Sequence, residues 1–159
     1  MLRATAHLPA GHGRGTPFDL VVLAHDERRL RRKLLTLAQG DEVLVDFRET
    51  VTLDHRGALV LEDGRLVEVV AAEERLHEVR GRDHEHLMRL AWHIGNRHTP
   101  AQLESGRILI QRDHVLKNML EGLGAAVSDV TEPFSPEHGA YHSHSHGHAD
   151  AGHALLYRK

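Results

Sequence analysis

Asp83-His84-Glu85-His86-Leu87-Met88-Arg89-Leu90-Ala91-Trp92-His93-Ile94-Gly95-Asn96 is the stretch on which the fold turns. Its apolar positions Leu87, Leu90, Ala91 and Ile94 fall at i, i+3, i+4 and i+7, which is one face of a helix. Gly95-Asn96 reads as the C-cap, and Pro100 cannot continue the helix. Upstream, Arg75 to Arg80 reads as a strand. Downstream, Ala101–Glu104 and Arg107–Gln111 read as two strands around Ser105-Gly106. A second helix is predicted behind the N-cap Asp113, with the stripe Leu116, Met119, Leu120 and Leu123, ending at Gly122 or Gly124. Ala125 to Val130 supplies a last strand. The resulting β-α-β-β-α-β order is that of the ferredoxin-like split unit.

The preceding seventy residues read as β. Asp41 to Phe47 is an apolar run behind the turn Gln39-Gly40-Asp41. Thr50–Leu53 and Ala58–Leu61 flank the turn Asp54-His55-Arg56-Gly57. Asp63-Gly64 signals a hairpin into Arg65–Val70, and Phe18 to Ala24 is a further strand. The chain is thus expected to be α+β: a small N-terminal β domain over 1–72, a ferredoxin-like domain over 73–135, and a His-rich tail over 136–159. That tail is expected to be disordered, because Glu132 to Gly139 has no periodicity and Tyr141 to His148 is low in complexity.

Composition narrows the function. The 159 residues carry 20 Lys+Arg and 23 Asp+Glu, a formal charge of −3 that does not suit a general nucleic-acid binder. No stretch approaches the ~20 apolar residues of a membrane span. Nothing resembling a charged-then-apolar export signal opens the sequence, and a cytoplasmic location is expected. Without cysteine there is neither a thiolate metal site nor a Cys nucleophile.

Histidine is the outlying residue, at 16 positions. Six lie within 138–153: His138, His142, His144, His146, His148 and His153. His142, His144, His146 and His148 alternate with Ser and Gly, so an extended chain places their imidazoles on one side. Neutral imidazole suits Ni2+, Cu2+, Zn2+ and Co2+. In the helix, His84-Glu85-His86 lacks the spacing of a zinc-protease motif. His93 flanks the apolar stripe and reads as a packed or surface residue. His98 differs, since it stands beyond the helix end between a Gly cap and Pro100, a plausible place for a ligand. Asp113-His114 is either an auxiliary ligand pair or an N-cap beside an exposed histidine. Gly11-His12-Gly13-Arg14-Gly15-Thr16 lacks the Lys of a phosphate loop. Arg28, Arg29, Arg31, Arg32 and Lys33 could touch an acidic partner or nucleic acid, or simply form a solvated face.

Gly95-Asn96-Arg97-His98-Thr99-Pro100, with Trp92-His93-Ile94 before it, resembles the Gly-Asn-Arg-His segment of the UreE urease accessory proteins, a family of nickel metallochaperones. The likeness extends to Asp113-His114-Val115-Leu116, Met119-Leu120, Pro133-Phe134, Gly139-Ala140-Tyr141 and the His-rich tail. It implies an N-terminal domain for protein contacts and a metal-binding domain that forms a homodimer. In that dimer His98 of each copy would meet its mate at a surface site, with tail histidines as further ligands. It also implies urease apoenzyme as the partner, together with its accessory proteins, including a GTPase. Some relatives carry a histidine just before the Asp-His pair. Arg112 stands there in this chain, which leaves a secondary site at Asp113 and His114 in question. The function expected is Ni2+ delivery during assembly of the urease metallocentre, with no catalysis by this chain. The alternative is a His-rich storage protein with no client.

Overall fold

The computed structural model describes residues 1–138. It has two β-sheets and two helices, so the α+β expectation holds. The first sheet is built from β1 (Leu2–Leu8), β2 (Asp19–Leu23), β3 (Arg29–Thr36), β4 (Glu42–Thr52), β5 (Ala58–Leu61) and β6 (Leu66–Ala71). Its order is β2-β6-β5-β1-β4-β3, with β1–β4 and β2–β6 parallel and the other pairs antiparallel. Alternation supplies its core: Val43, Val45 and Phe47 of β4 point inward beside Val21, Leu23, Leu59, Val67 and Val69. The Asp63-Gly64 hairpin forms as expected. Gly64 adopts φ +91, and its N–H donates to the carbonyl of Leu61 at 2.9 Å.

Two strands go beyond the sequence reading, and one boundary moves. Leu2–Leu8 and Arg29–Thr36 are both strands. Asp41–Phe47 and Thr50–Leu53 belong largely to one strand, β4. The reason is a bulge: Leu30 pairs with Val51, yet Arg32 already pairs with Asp46, so β4 holds extra residues opposite Arg31.

The second sheet comprises β7 (Glu73–Arg80), β8 (Ala101–Leu103), β9 (Ile108–Gln111) and β10 (Ala126–Pro133), ordered β10-β7-β9-β8 and antiparallel throughout. Helices α1 (His84–Asn96) and α2 (His114–Gly122) lie between these strands in sequence, in the expected β-α-β-β-α-β order. Leu87, Leu90 and Ile94 of α1 and Leu116 and Leu120 of α2 are buried on Val79, Ile108 and Ile110. Each such side chain contributes about 1.5–3 kcal/mol of burial. Asp83 caps α1 by accepting from the N–H of His86 at 2.8 Å. Leu123, placed on the stripe of α2 by periodicity, instead forms its C-cap and is partly exposed.

Order does not stop at Thr131. Strand β10 continues to Pro133, and Phe134 is fully buried with Leu76 and Leu109. The N–H of Glu137 donates to the carbonyl of Ala101 at 2.8 Å, so the tail expected from residue 136 starts with a fixed residue. The remainder of that tail, with its expected disorder, lies outside the described residues.

Phe134 also joins the two sheets. Its carbonyl accepts from the guanidinium of Arg28 at 2.6 Å, which donates in addition to the carbonyl of Leu23 at 3.0 Å. The ring of His25 meets that of Phe134 edge-on at 5.0 Å. The Nδ1 of His25 lies 2.9 Å from Glu74, and its backbone N–H donates to the same carboxylate. Desolvation lowers the pKa of Arg28, with Glu74 opposing the shift.

Candidate metal-binding site

The end of α1 is where the fold presents His98. Gly95 and Asn96, read from sequence as the cap, are still helical; Arg97 is the C-cap, and His98 takes the left-handed turn at φ +56. His is among the residues that tolerate this conformation, and its N–H returns to the carbonyl of Gly95 at 3.0 Å. The side chain stands exposed. Thr99 and Pro100 then lead into β8. A histidine that ends a helix in this way has a fixed backbone and a ring open to solvent.

Several other histidines have committed ring nitrogens. The N–H of Arg82 donates to Nδ1 of His86, and Nε2 of His86 lies 2.8 Å from the carbonyl of Leu123, which assigns the proton to Nε2. That buried ring ties the start of α1 to the end of α2. His55 accepts at Nδ1 from the N–H of Ala71, and buried His77 faces Asp129 at 3.0 Å. His93 packs edge-on to Trp92 at 5.1 Å, in keeping with the packed or surface role read for it.

Asp113 and His114 open α2. Asp113 is its N-cap, accepting from the N–H groups of Leu116 and Val115 at 3.0 and 2.9 Å. The bond from Leu116, followed by that from Val115, holds its carboxyl below the usual carboxylate range. His114 is exposed. Arg97 and Thr99, on either side of His98, share a depression of about 220 Å³ with Asp113, Val115 and Leu116. Arg112, just before Asp113, points elsewhere. It donates to the carbonyls of Leu76 and Val130 at 3.1 and 3.0 Å and so straps two strands together.

Among the described residues, no three His, Asp or Glu side chains are grouped to hold an ion. His98 therefore offers one ligand, and His142, His144, His146, His148 and His153 lie outside the described residues. Both helices also carry exposed apolar side chains: Met88 and Trp92 of α1 and Val115 of α2 are 60%, 65% and 55% exposed. A larger cleft of about 1040 Å³ runs between the two sheets, lined on one side by His98, Thr99 and Pro100 and on the other by Arg28, Arg29 and Arg31. His25, His55 and His138 also face it. Sequence reasoning passed over His25 and His55, which stand singly in turns and carry no spacing signal.

Fold and site together define a two-sheet α+β protein that holds one open imidazole at a helix end, beside an apolar patch and a cleft. The UreE urease accessory protein N-terminal domain model matches residues 1–72, and the corresponding C-terminal domain model matches 74–157. A urease accessory protein UreE of Rhizobium leguminosarum bv. trifolii is 54% identical over 155 residues, covering 97% of this chain and 80% of the relative. That of Rhizobium rhizogenes is 55% identical over 149 residues, covering 94% and 89%. That of Mesorhizobium japonicum is 56% identical over 140 residues, covering 87% and 71%. The chain belongs to the UreE urease accessory protein family. No helix among the described residues is long and apolar enough to cross a membrane.

Proposed function

We propose that this chain is a cytoplasmic metallochaperone that carries Ni2+ to the urease apoenzyme while its metal centre is assembled. The observation that carries the reading is the exposed His98 ring, on a surface where no three-ligand group forms among the described residues. A single imidazole cannot hold a divalent ion firmly, so further donors must come from outside this set. A second copy docked through Met88, Trp92 and Val115 would bring its own His98 to the same ion, which makes a homodimer the natural holder. Histidines 142, 144, 146, 148 and 153 would complete the shell, with His114 and Asp113 as neighbours. Zn2+, Cu2+ and Co2+ suit the same donors, so preference for nickel rests on supply and geometry.

In this reading residues 1–72 make protein contacts and 73–135 hold the metal. The family name supports urease as the client. An ion on an exposed imidazole can pass to a docked acceptor by ligand exchange, with no reaction catalysed by this chain. Calorimetric titration with Ni2+ tests the assignment. His98→Ala should lose the tightest site while keeping its circular dichroism spectrum and melting transition. Unchanged high-affinity binding would sink the assignment of His98.

A further inference from the structure

We infer that the open edge of β3 docks an acidic, extended segment of a protein partner and leads it into the cleft faced by His98. The inference rests on the metal-carrier reading above and adds the chemistry of the partner. Strand β3 is the last in its sheet, so one row of its backbone N–H and C=O groups has no strand beside it. A peptide can pair along such an edge through main-chain hydrogen bonds. Arg29, Arg31, Arg32 and Lys33 put four cations within five residues, in a chain whose formal charge is −3. Among the described residues only Arg32 of these four meets a carboxylate, at 3.7 Å from an Asp46 already shared with Arg3.

Charges on an edge strand also guard against aggregation, but a guard has no need of a cleft. Here the first residues of β3 form one wall of a cleft whose other wall holds His98. Arg28, 3% exposed at the same wall, has an Nε with no acceptor among the described residues. Buried donors left in this way are rare.

The occupant must be anionic along β3 but not throughout, because Asp26, Asp54 and Glu137 line the cleft itself. Nucleic acid carries a phosphate at every residue and meets repulsion there. A peptide can place Glu or Asp at alternate positions opposite Arg31 and Lys33 and continue uncharged. Residues 139–159 of this chain do not fit, with one carboxylate side chain, Asp150, against Arg158 and Lys159.

The test uses the full, metal-free chain and fluorescence anisotropy. The probes are a labelled Glu-Val repeat of about eight residues, its Lys-Val counterpart, and a single-stranded oligonucleotide of similar length. The Glu-Val peptide should bind best and weaken with salt, and R31E/K33E should lower its affinity on the order of tenfold. R31Q/K33Q should lose less. Both variants should melt like the parent, and amide shifts on peptide addition should fall on residues 29–34. Equal binding of the Lys-Val peptide, tighter binding of the oligonucleotide, or undiminished binding by R31E/K33E would overturn the inference. Dimer loss in R31E/K33E would overturn it too, by assigning the edge to a second copy. The variant should retain the nickel site that His98→Ala removes. Failure of the edge with intact nickel binding is therefore separable from failure of the metal reading.

Discussion

His98 is held at φ +56, where a side chain with a Cβ is strained by about 1–3 kcal/mol. Helix ends commonly give that position to Gly, and here it is His. The strain is measurable without metal. His98→Gly should melt about 2–4 °C above His98→Ala, because both lose the ring and only Gly relaxes the backbone. Equal melting temperatures would show that the turn is unstrained. Asp113 poses a different question, because its carboxylate already caps α2. Asp113→Asn keeps an acceptor for the N–H of Leu116 and should stay near the parent in stability. Asp113→Ala should lower Tm by about 2–4 °C. If neither change weakens nickel binding, Asp113 serves as a cap alone. Periodicity makes the start of α1 legible from sequence and capping that of α2, with Asp113 standing where it is expected and Asp83 found as the cap of α1 only in the structure. The left-handed residue lies three positions beyond Gly95: the helix carries Gly95 and Asn96 through despite their weak propensity and stops before Pro100, which cannot continue it.

Strands are harder to read where pairing departs from regular alternation. Strand β3 lacks alternation because the bulge in β4 shifts its register midway, leaving Leu30 and Leu35 buried around a run of cations. Strand β10 reads too short from sequence because Pro133 and Pro136 bracket a single apolar residue, Phe134, which carries no period. That residue proves to be the wedge between the sheets. Phe134→Ala should cost about 3–5 kcal/mol in urea unfolding, and ending the chain at Pro133 should be at least as severe because Arg28 loses an acceptor too. Strands β7, β9 and β10 are also laced by Arg107, which donates to Glu132, Glu104 and Glu78 at 2.7 to 3.1 Å. Hydrogen bonds from Arg80 and then Arg107 lower the pKa of Glu78, and Arg107 lowers that of Glu132. Both groups therefore bind protons less readily folded than unfolded. Their stabilisation is present above the unfolded value, near pH 4.3, and is lost as pH falls through the folded one. Arg107→Gln should lower stability at pH 7 and flatten its fall between about pH 5 and 3. An acid profile parallel to that of the parent would remove Arg107 from this role.

For the whole molecule, an imidazole binds metal only when neutral, and free imidazole protonates near pH 6.5. Nickel binding should therefore release protons and weaken steeply from about pH 7.5 to 5.5, more steeply than one proton per ion would allow. A flat profile over that range would move the ligands to carboxylates. The bond from Glu137 to Ala101 has a further consequence for such a site. Ala101 is three residues past His98, so Glu137 is fixed in the cleft that His98 also lines. From Glu137 to His142 the chain can span at most about 18 Å. A tether of that length would keep His142, the first of the proposed tail ligands, within reach of His98 at an effective concentration in the millimolar range. Free small-molecule chelators in the micromolar range would lose the ion to such tethered donors. A docked client, itself tethered, would compete on equal terms, so the ion would leave only where another protein has been seated to receive it.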